Sequence, residues 1–172
     1  MSLVVETGTG LADAESYASV AAADAQCARL GVSGWGDLTE EMKEIALRNA
    51  TRFMLATYRT RWDGRRVYQA QALDWPRYDV CADGWSVLST VVPPEVVSAC
   101  IELAVRAGAG EQLLPDLETG NNQIKRDKVG PLETEFFENS VDAGARFVAV
   151  DRMLAPYFGS TGGAGMMKVV RA

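Results

Sequence analysis

Seven arginines fall within residues 48–77: Arg48, Arg52, Arg59, Arg61, Arg65, Arg66 and Arg77, against two acids, Asp63 and Asp74. Trp62, Tyr68, Trp75 and Tyr78 stand among or beside them. A surface for single-stranded nucleic acid uses this pairing, neutralising phosphates with guanidinium groups and stacking bases on rings. It would recruit Arg59, Arg61, Trp62, Arg65, Arg66 and Trp75. A protein–protein interface draws on the same residue types, which are enriched at binding hot spots. A plainer use is ion pairing with acidic faces of the same chain or of a neighbouring subunit. The belt is local. It carries +5, whereas residues 1–47 carry −6 and residues 78–172 carry −5, for a net of −6 over 172 residues. An acidic protein repels phosphate overall, so the interface use leads.

The residue types that are missing narrow the chemistry. There is no histidine, hence no ordinary neutral-pH base, no Ser-His-Asp or Cys-His arrangement and no imidazole ligand for a metal. Cys27, Cys81 and Cys100 are far apart and form no CxxC pair, a pattern of unpaired thiols in a reducing compartment. Gly8-Thr9-Gly10 lacks the third glycine of a dinucleotide loop and reads as a turn. The run 159–165 is glycine-rich but lacks the Gly-Lys-Ser/Thr end of a phosphate loop. No catalytic residue, metal site or cofactor is expected, and no enzymatic activity. Hydrophobic residues at 48% and charged residues at 23% suit a soluble globular chain. No run approaches a membrane span, and residues 1–6 show no signal-peptide pattern.

The elements that must position the belt follow from periodicity and punctuation. Residues 3–6 are strand-like. Ser16 or Ser19 caps a first helix to about Leu30, with Gly31 as its stop. Thr39 caps a second helix to about Tyr58, with Met42, Ile45, Ala46, Ala50, Phe53 and Ala56 as its apolar face. Glu44 and Arg48 form an i,i+4 pair on its wet side. Residues 59–92 show no clear period and are expected to wrap a surface. Pro94 opens a third helix to about Gly108, apolar over most of its circumference. Its cover is expected either from this chain or in part from another subunit. Residues 124–137 read as a hairpin about Val129-Gly130-Pro131. A short helix runs from Val148 to about Phe158, with Pro156 kinking or ending it. A glycine linker and the strand-competent tail Met166–Arg171 follow.

Five of these features, in this order, resemble a phage-encoded family. They are Gly8 to Tyr17, Leu73-Asp74-Trp75-Pro76-Arg77, Val92 to Val96, Ile124 to Glu133, and the short apolar helix with its glycine-rich tail. The family is that of tailed-bacteriophage head–tail connector (adaptor) proteins, often labelled "DnaT-like single-stranded-DNA-binding". The resemblance implies a mainly helical protein with an extended hairpin. About a dozen copies would ring the neck of the virion beneath the portal and pass DNA through the centre without sequence recognition.

The expected fold is mainly α: a small bundle of about four helices with an extended β-hairpin and strand-like termini. Residues 1–158 would form the connector domain, with the hairpin arm at 124–137, and 159–172 the linker and tail. The leading function is a virion structural protein made in the host cytoplasm. Its partners would be copies of itself, the portal, tail or neck proteins and the passing DNA, with no membrane. Contacts to the portal or a subunit fall to Arg65, Arg66, Trp75 and Arg77, to Lys125, Lys128, Val129 and Phe136 of the hairpin, and to Val169 and Val170 of the tail. The alternative is a DnaT-like module for single-stranded DNA.

Overall fold

The computed structural model describes residues 2–114 and 147–159, together with the backbone pairing of 126–129 and 132–135. Helix α1 (Val20–Leu30) starts where Ser19 Oγ accepts the Ala22 N–H at 3.1 Å and stops at left-handed Gly31. Helix α2 (Glu40–Tyr58) is capped by Thr39, with Glu40 and Glu41 in the first turn, where they suit the helix dipole. Helix α3 (Pro94–Gly108) opens on proline, which needs no N–H there. Helix α4 (Val148–Leu154) tightens into a 3-10 turn at Ala155–Tyr157, the point that Pro156 dictates.

Strands β1 (Arg65–Arg66) and β2 (Arg77–Tyr78) form a two-residue antiparallel ladder, with Arg65 opposite Tyr78 and Arg66 opposite Arg77. Strands β3 (Cys81–Ala82) and β4 (Trp85–Ser86) make a tight hairpin. Its turn, Asp83-Gly84, has φ of 51° and 84°. Two consecutive positive φ values match the twist of the flanking strands, and Asp-Gly is a favoured pair for them. Strands β5 (Arg126–Val129) and β6 (Leu132–Glu135) pair antiparallel, with Val129 opposite Leu132, inside the segment expected to be a hairpin.

The expectation of a small helical bundle is corrected. Among the described residues the chain is a mixed small domain of four helices, two hairpins and a short ladder. Among the described residues only α2 and α3 share an extensive seam, and α4 is seven residues long. Much of the core comes from irregular chain: Tyr17, Trp35, Trp62, Leu73, Trp75 and Val80 are all buried. Periodicity cannot register such residues, because they are inward by tertiary context alone. The strand-like N-terminus is reduced to a single parallel bridge, Val5 to Ser16.

The buried face of α2 also differs from expectation. Leu47, Ala50, Thr51, Met54 and Tyr58 are buried with Ala46 and Phe53, while Met42 and Ile45 are about half exposed and Ala56 is exposed. The inward stripe is thus turned toward Leu47 and Met54. Helix α3 finds its cover within the chain: Val96, Ala99, Cys100, Ile101, Leu103 and Ala104 are buried against α2, α4 and α1. Its sequence shows only that it must be covered; α4, which begins forty residues after α3 ends, supplies part of that cover. Among the described residues no helix is long and apolar enough to cross a membrane.

Candidate nucleic-acid interface

The arginine belt leaves the end of α2 and turns back on itself through the β1–β2 ladder, so that residues 59–66 and 73–78 lie together. Arg77 faces inward. Its Nε donates to the Asp63 carbonyl at 2.7 Å, Nη2 to Gly64 O at 2.7 Å and Nη1 to Asp74 O at 3.1 Å. One guanidinium fork thus satisfies three carbonyls of two chain segments. Burial pushes its pKa down, against the pull of the Asp74 carboxylate. Gly64 is fixed by the same packing. Its φ is 63°, and a Cβ there would run into the Tyr78 carbonyl.

Trp75 is 0% exposed and Trp62 6%. Their rings meet edge to face at 5.6 Å, and Tyr58, Tyr157 and Phe158 complete the cluster. Neither indole can stack on a base or reach a partner protein while the domain is folded. Trp62, Trp75 and Arg77 therefore leave the candidate surface and join the core. Sequence reasoning grouped them with the belt because tryptophan beside arginine looks the same whether it faces in or out.

The remaining arginines stand in graded positions. Arg61 pairs with Asp151 at 3.1 Å and lies 4.1 Å over the Phe158 ring, tying α4 and the 3-10 turn to the end of α2. Arg66 is half-buried and donates to the Gln71 carbonyl at 3.1 Å. Arg48 bridges Glu15 at 3.0 Å and Glu44 at 3.2 Å, and its guanidinium holds the Glu15 carboxyl below its usual range. The i,i+4 pair read from the sequence is thus present and extended by Glu15. Beyond Arg61, three belt arginines are exposed: Arg52 on α2, Arg59 and Arg65. The Arg59 side chain is 52% exposed, with Nε 3.5 Å from the buried Asp74 carboxylate. The Arg65 side chain is 77% exposed, 3.3 Å from Asp79 and 5.8 Å over the Tyr78 ring. The plainer use, pairing within the chain, thus accounts for most of the belt. Arg59 and Arg65 keep exposed guanidinium edges in addition.

Three exposed aromatics were absent from the sequence-derived candidate sites: Tyr68, Tyr78 and Trp85, the last 79% exposed. Only Trp85 carried a signal in the sequence. Tyr78 follows buried Arg77 in a two-residue strand, so it must face the other way. Trp85 directly follows an Asp-Gly turn, at a hairpin tip. Among the other candidates, Lys128 and Val129 lie on β5, described by its backbone. Lys125, Phe136, Val169 and Val170, with the 159–172 tail beyond its first residue, lie outside the described residues.

Two segments of the family resemblance meet here. Glu6, buried, accepts the Gly8, Gly10 and Leu11 N–H groups at 2.8, 2.9 and 2.8 Å, which makes Gly8-Thr9-Gly10 a turn wrapped on a carboxylate. The Ala72 N–H then donates to Leu11 O at 2.9 Å, and the Asp74 N–H to the Tyr17 hydroxyl at 2.9 Å. The N-terminal segment thus braces the residue 72–77 loop from beneath.

No curated protein and no solved structure matches the chain. A family model does, over residues 1–172, and it is described as "Putative DnaT-like ssDNA binding protein". Given a match along its whole length, the chain belongs to this DnaT-like ssDNA binding family.

Proposed function

We propose that this protein binds single-stranded DNA through the outer face of the belt, with Arg59 and Arg65 on phosphates and Tyr78 and Tyr68 as stacking rings. The observation that carries this reading is the pair across the β1–β2 ladder: an exposed guanidinium 5.8 Å over an exposed tyrosine. One group there can take a phosphate and the other a base. The family description supports the same activity. A net charge of −6 makes the binding weak, and the arginine–phosphate contacts make it salt-dependent. Fluorescence anisotropy with a labelled oligonucleotide over a salt series tests it. The expected result is an affinity that falls steeply with salt and is lost in the Arg59→Ala/Arg65→Ala double variant. Absence of binding at low salt would contradict it.

A second reading rests on a different observation. Trp85, at the start of β4, is 79% exposed and Leu88, two residues beyond β4, 70%, and residues 84–94 carry no charge. Exposed tryptophan on an uncharged arm suits a protein partner. In this reading the protein is a head–tail connector of a tailed phage virion. It forms a ring of about twelve copies on the portal, in contact with tail or neck proteins, and passes DNA without gripping it. Light scattering and negative-stain imaging with portal protein test it. Rings that Trp85→Ala abolishes would support the reading, and no assembly with portal would contradict it.

A further inference from the structure

The most unusual polar group in the described residues is the Asp74 carboxylate. Its side chain is 1% exposed, and neither oxygen makes a hydrogen bond. The Trp62 indole faces it without reaching hydrogen-bond geometry. Charged and titratable groups approach it from every neighbouring element: Arg59 from the end of α2, Arg66 from β1, Arg77 from β2 and Tyr17 from the N-terminal segment. Arg77 is committed to three carbonyls and Arg66 to Gln71, whereas Arg59 holds the carboxylate through Nε and presents its outer edge to solvent. The counterion most open to a solution ligand is therefore also the one closest to a buried, poorly solvated acid.

We propose that Asp74 couples polyanion binding at Arg59 to the uptake of one proton. This rests on the single-stranded-DNA reading and adds its regulation. The sign is fixed by electrostatics. A phosphate that draws Arg59 outward removes the main attraction holding Asp74 ionised, and a phosphate that merely sits beyond Arg59 adds negative potential. Either raises the proton affinity of the carboxylate. Burial already pushes the Asp74 pKa above its usual range, with Arg59 the foremost opposing charge, so the acid is poised to respond. By linkage, lowering the pH must then strengthen polyanion binding.

The test is anisotropy with a labelled oligothymidylate on the full chain, from neutral to mildly acidic pH at fixed salt. Wild-type affinity is expected to rise as pH falls, by up to about tenfold per pH unit for one linked proton. Asp74→Asn is expected to bind more tightly than wild type at neutral pH and to lose most of that slope. A companion titration of the Asp74 carboxyl carbon by NMR, in DNA-free wild type and Arg59→Ala, is expected to show a higher midpoint in the variant. That arm does not depend on Asp74→Asn folding. Binding with a pH slope that Asp74→Asn leaves unchanged, or an Asp74 midpoint indifferent to Arg59, would overturn the coupling while leaving the DNA reading intact. No binding by either protein would overturn the DNA reading and the coupling with it.

Discussion

The α2–α3 seam and the irregular chain from residue 59 to 92 are built on opposite principles. The seam is apolar and periodic: Leu47, Ala50 and Met54 of α2 and Val96, Ala99 and Leu103 of α3 are all buried where the two helices pack. The irregular segment buries as much specificity with polar means. Arg77 staples three carbonyls, Gln71 Nε2 donates to Leu73 O and Pro76 O, and Trp75 is fully enclosed. With only four two-residue strands, most of its backbone groups need other partners. Arginine and glutamine supply them. The lesson is that an arginine-rich stretch of an acidic protein is first a folding device. Only the guanidinium groups left over can serve a ligand.

The sharpest way to break this comparison is to remove one large side chain from each region. Trp75→Ala should cost about 3–5 kcal/mol, at least as much as Leu47→Ala at about 2–5 kcal/mol, in urea unfolding. If Trp75→Ala cost under about 1 kcal/mol, the irregular segment would be peripheral wrapping after all. Arg77→Ala comes next. It strands the carbonyls of Asp63, Gly64 and Asp74, and should cost upwards of about 3 kcal/mol in the same assay.

Two glycines sharpen the contrast. Gly64 and Gly31 have nearly the same φ, 63° and 65°, but only Gly64 has a neighbour where a Cβ would go. Gly31→Ala should therefore cost about 1 kcal/mol for the left-handed backbone, and Gly64→Ala more than about 2 kcal/mol. Equal melting temperatures for the two variants would refute the close approach at Gly64. Ser19→Ala, which removes the α1 cap, should cost about 1 kcal/mol.

The pH dependence separates the regions in a different way. Burial raises the folded-state pKa of Asp74. Its contribution therefore favours folding as pH falls through that raised value toward the unfolded one near ~3.9, and is lost as pH rises. Glu15 and Asp24, each held low by a cation, act in the other direction, so their stabilisation is lost on acidification. The difference in stability between wild type and Asp74→Asn, measured across acidic pH, should shift in favour of wild type as pH falls. The opposite trend would mean that Asp74 is a net-stabilised ion.

What could be read from the sequence follows from these physical differences. Ser19, Thr39, Pro94 and Gly31 act locally, so the ends of the first three helices were legible. So was the pairing within 124–137, because turn chemistry is local too. The α2 face was not. Met42 and Ile45 look like core residues until Leu47 and Met54 take the seam. Inward and outward arginines were also indistinguishable, since what separates Arg77 from Arg65 is two-residue strand alternation inside a stretch with no visible period. Trp62 and Trp75 were misplaced for the same reason, and Trp85 and Tyr78 went unselected.

The division of the belt can be observed directly. The Nε–H signals of the arginines, followed by NMR as a single-stranded oligonucleotide is added, report which guanidinium groups meet the ligand. Arg59 and Arg65 should shift progressively, while Arg77, bonded to carbonyls within the core, should stay put and resist exchange with solvent. Movement of Arg77 at the same oligonucleotide concentration, or no movement of Arg59 and Arg65 at saturating concentration, would contradict this account.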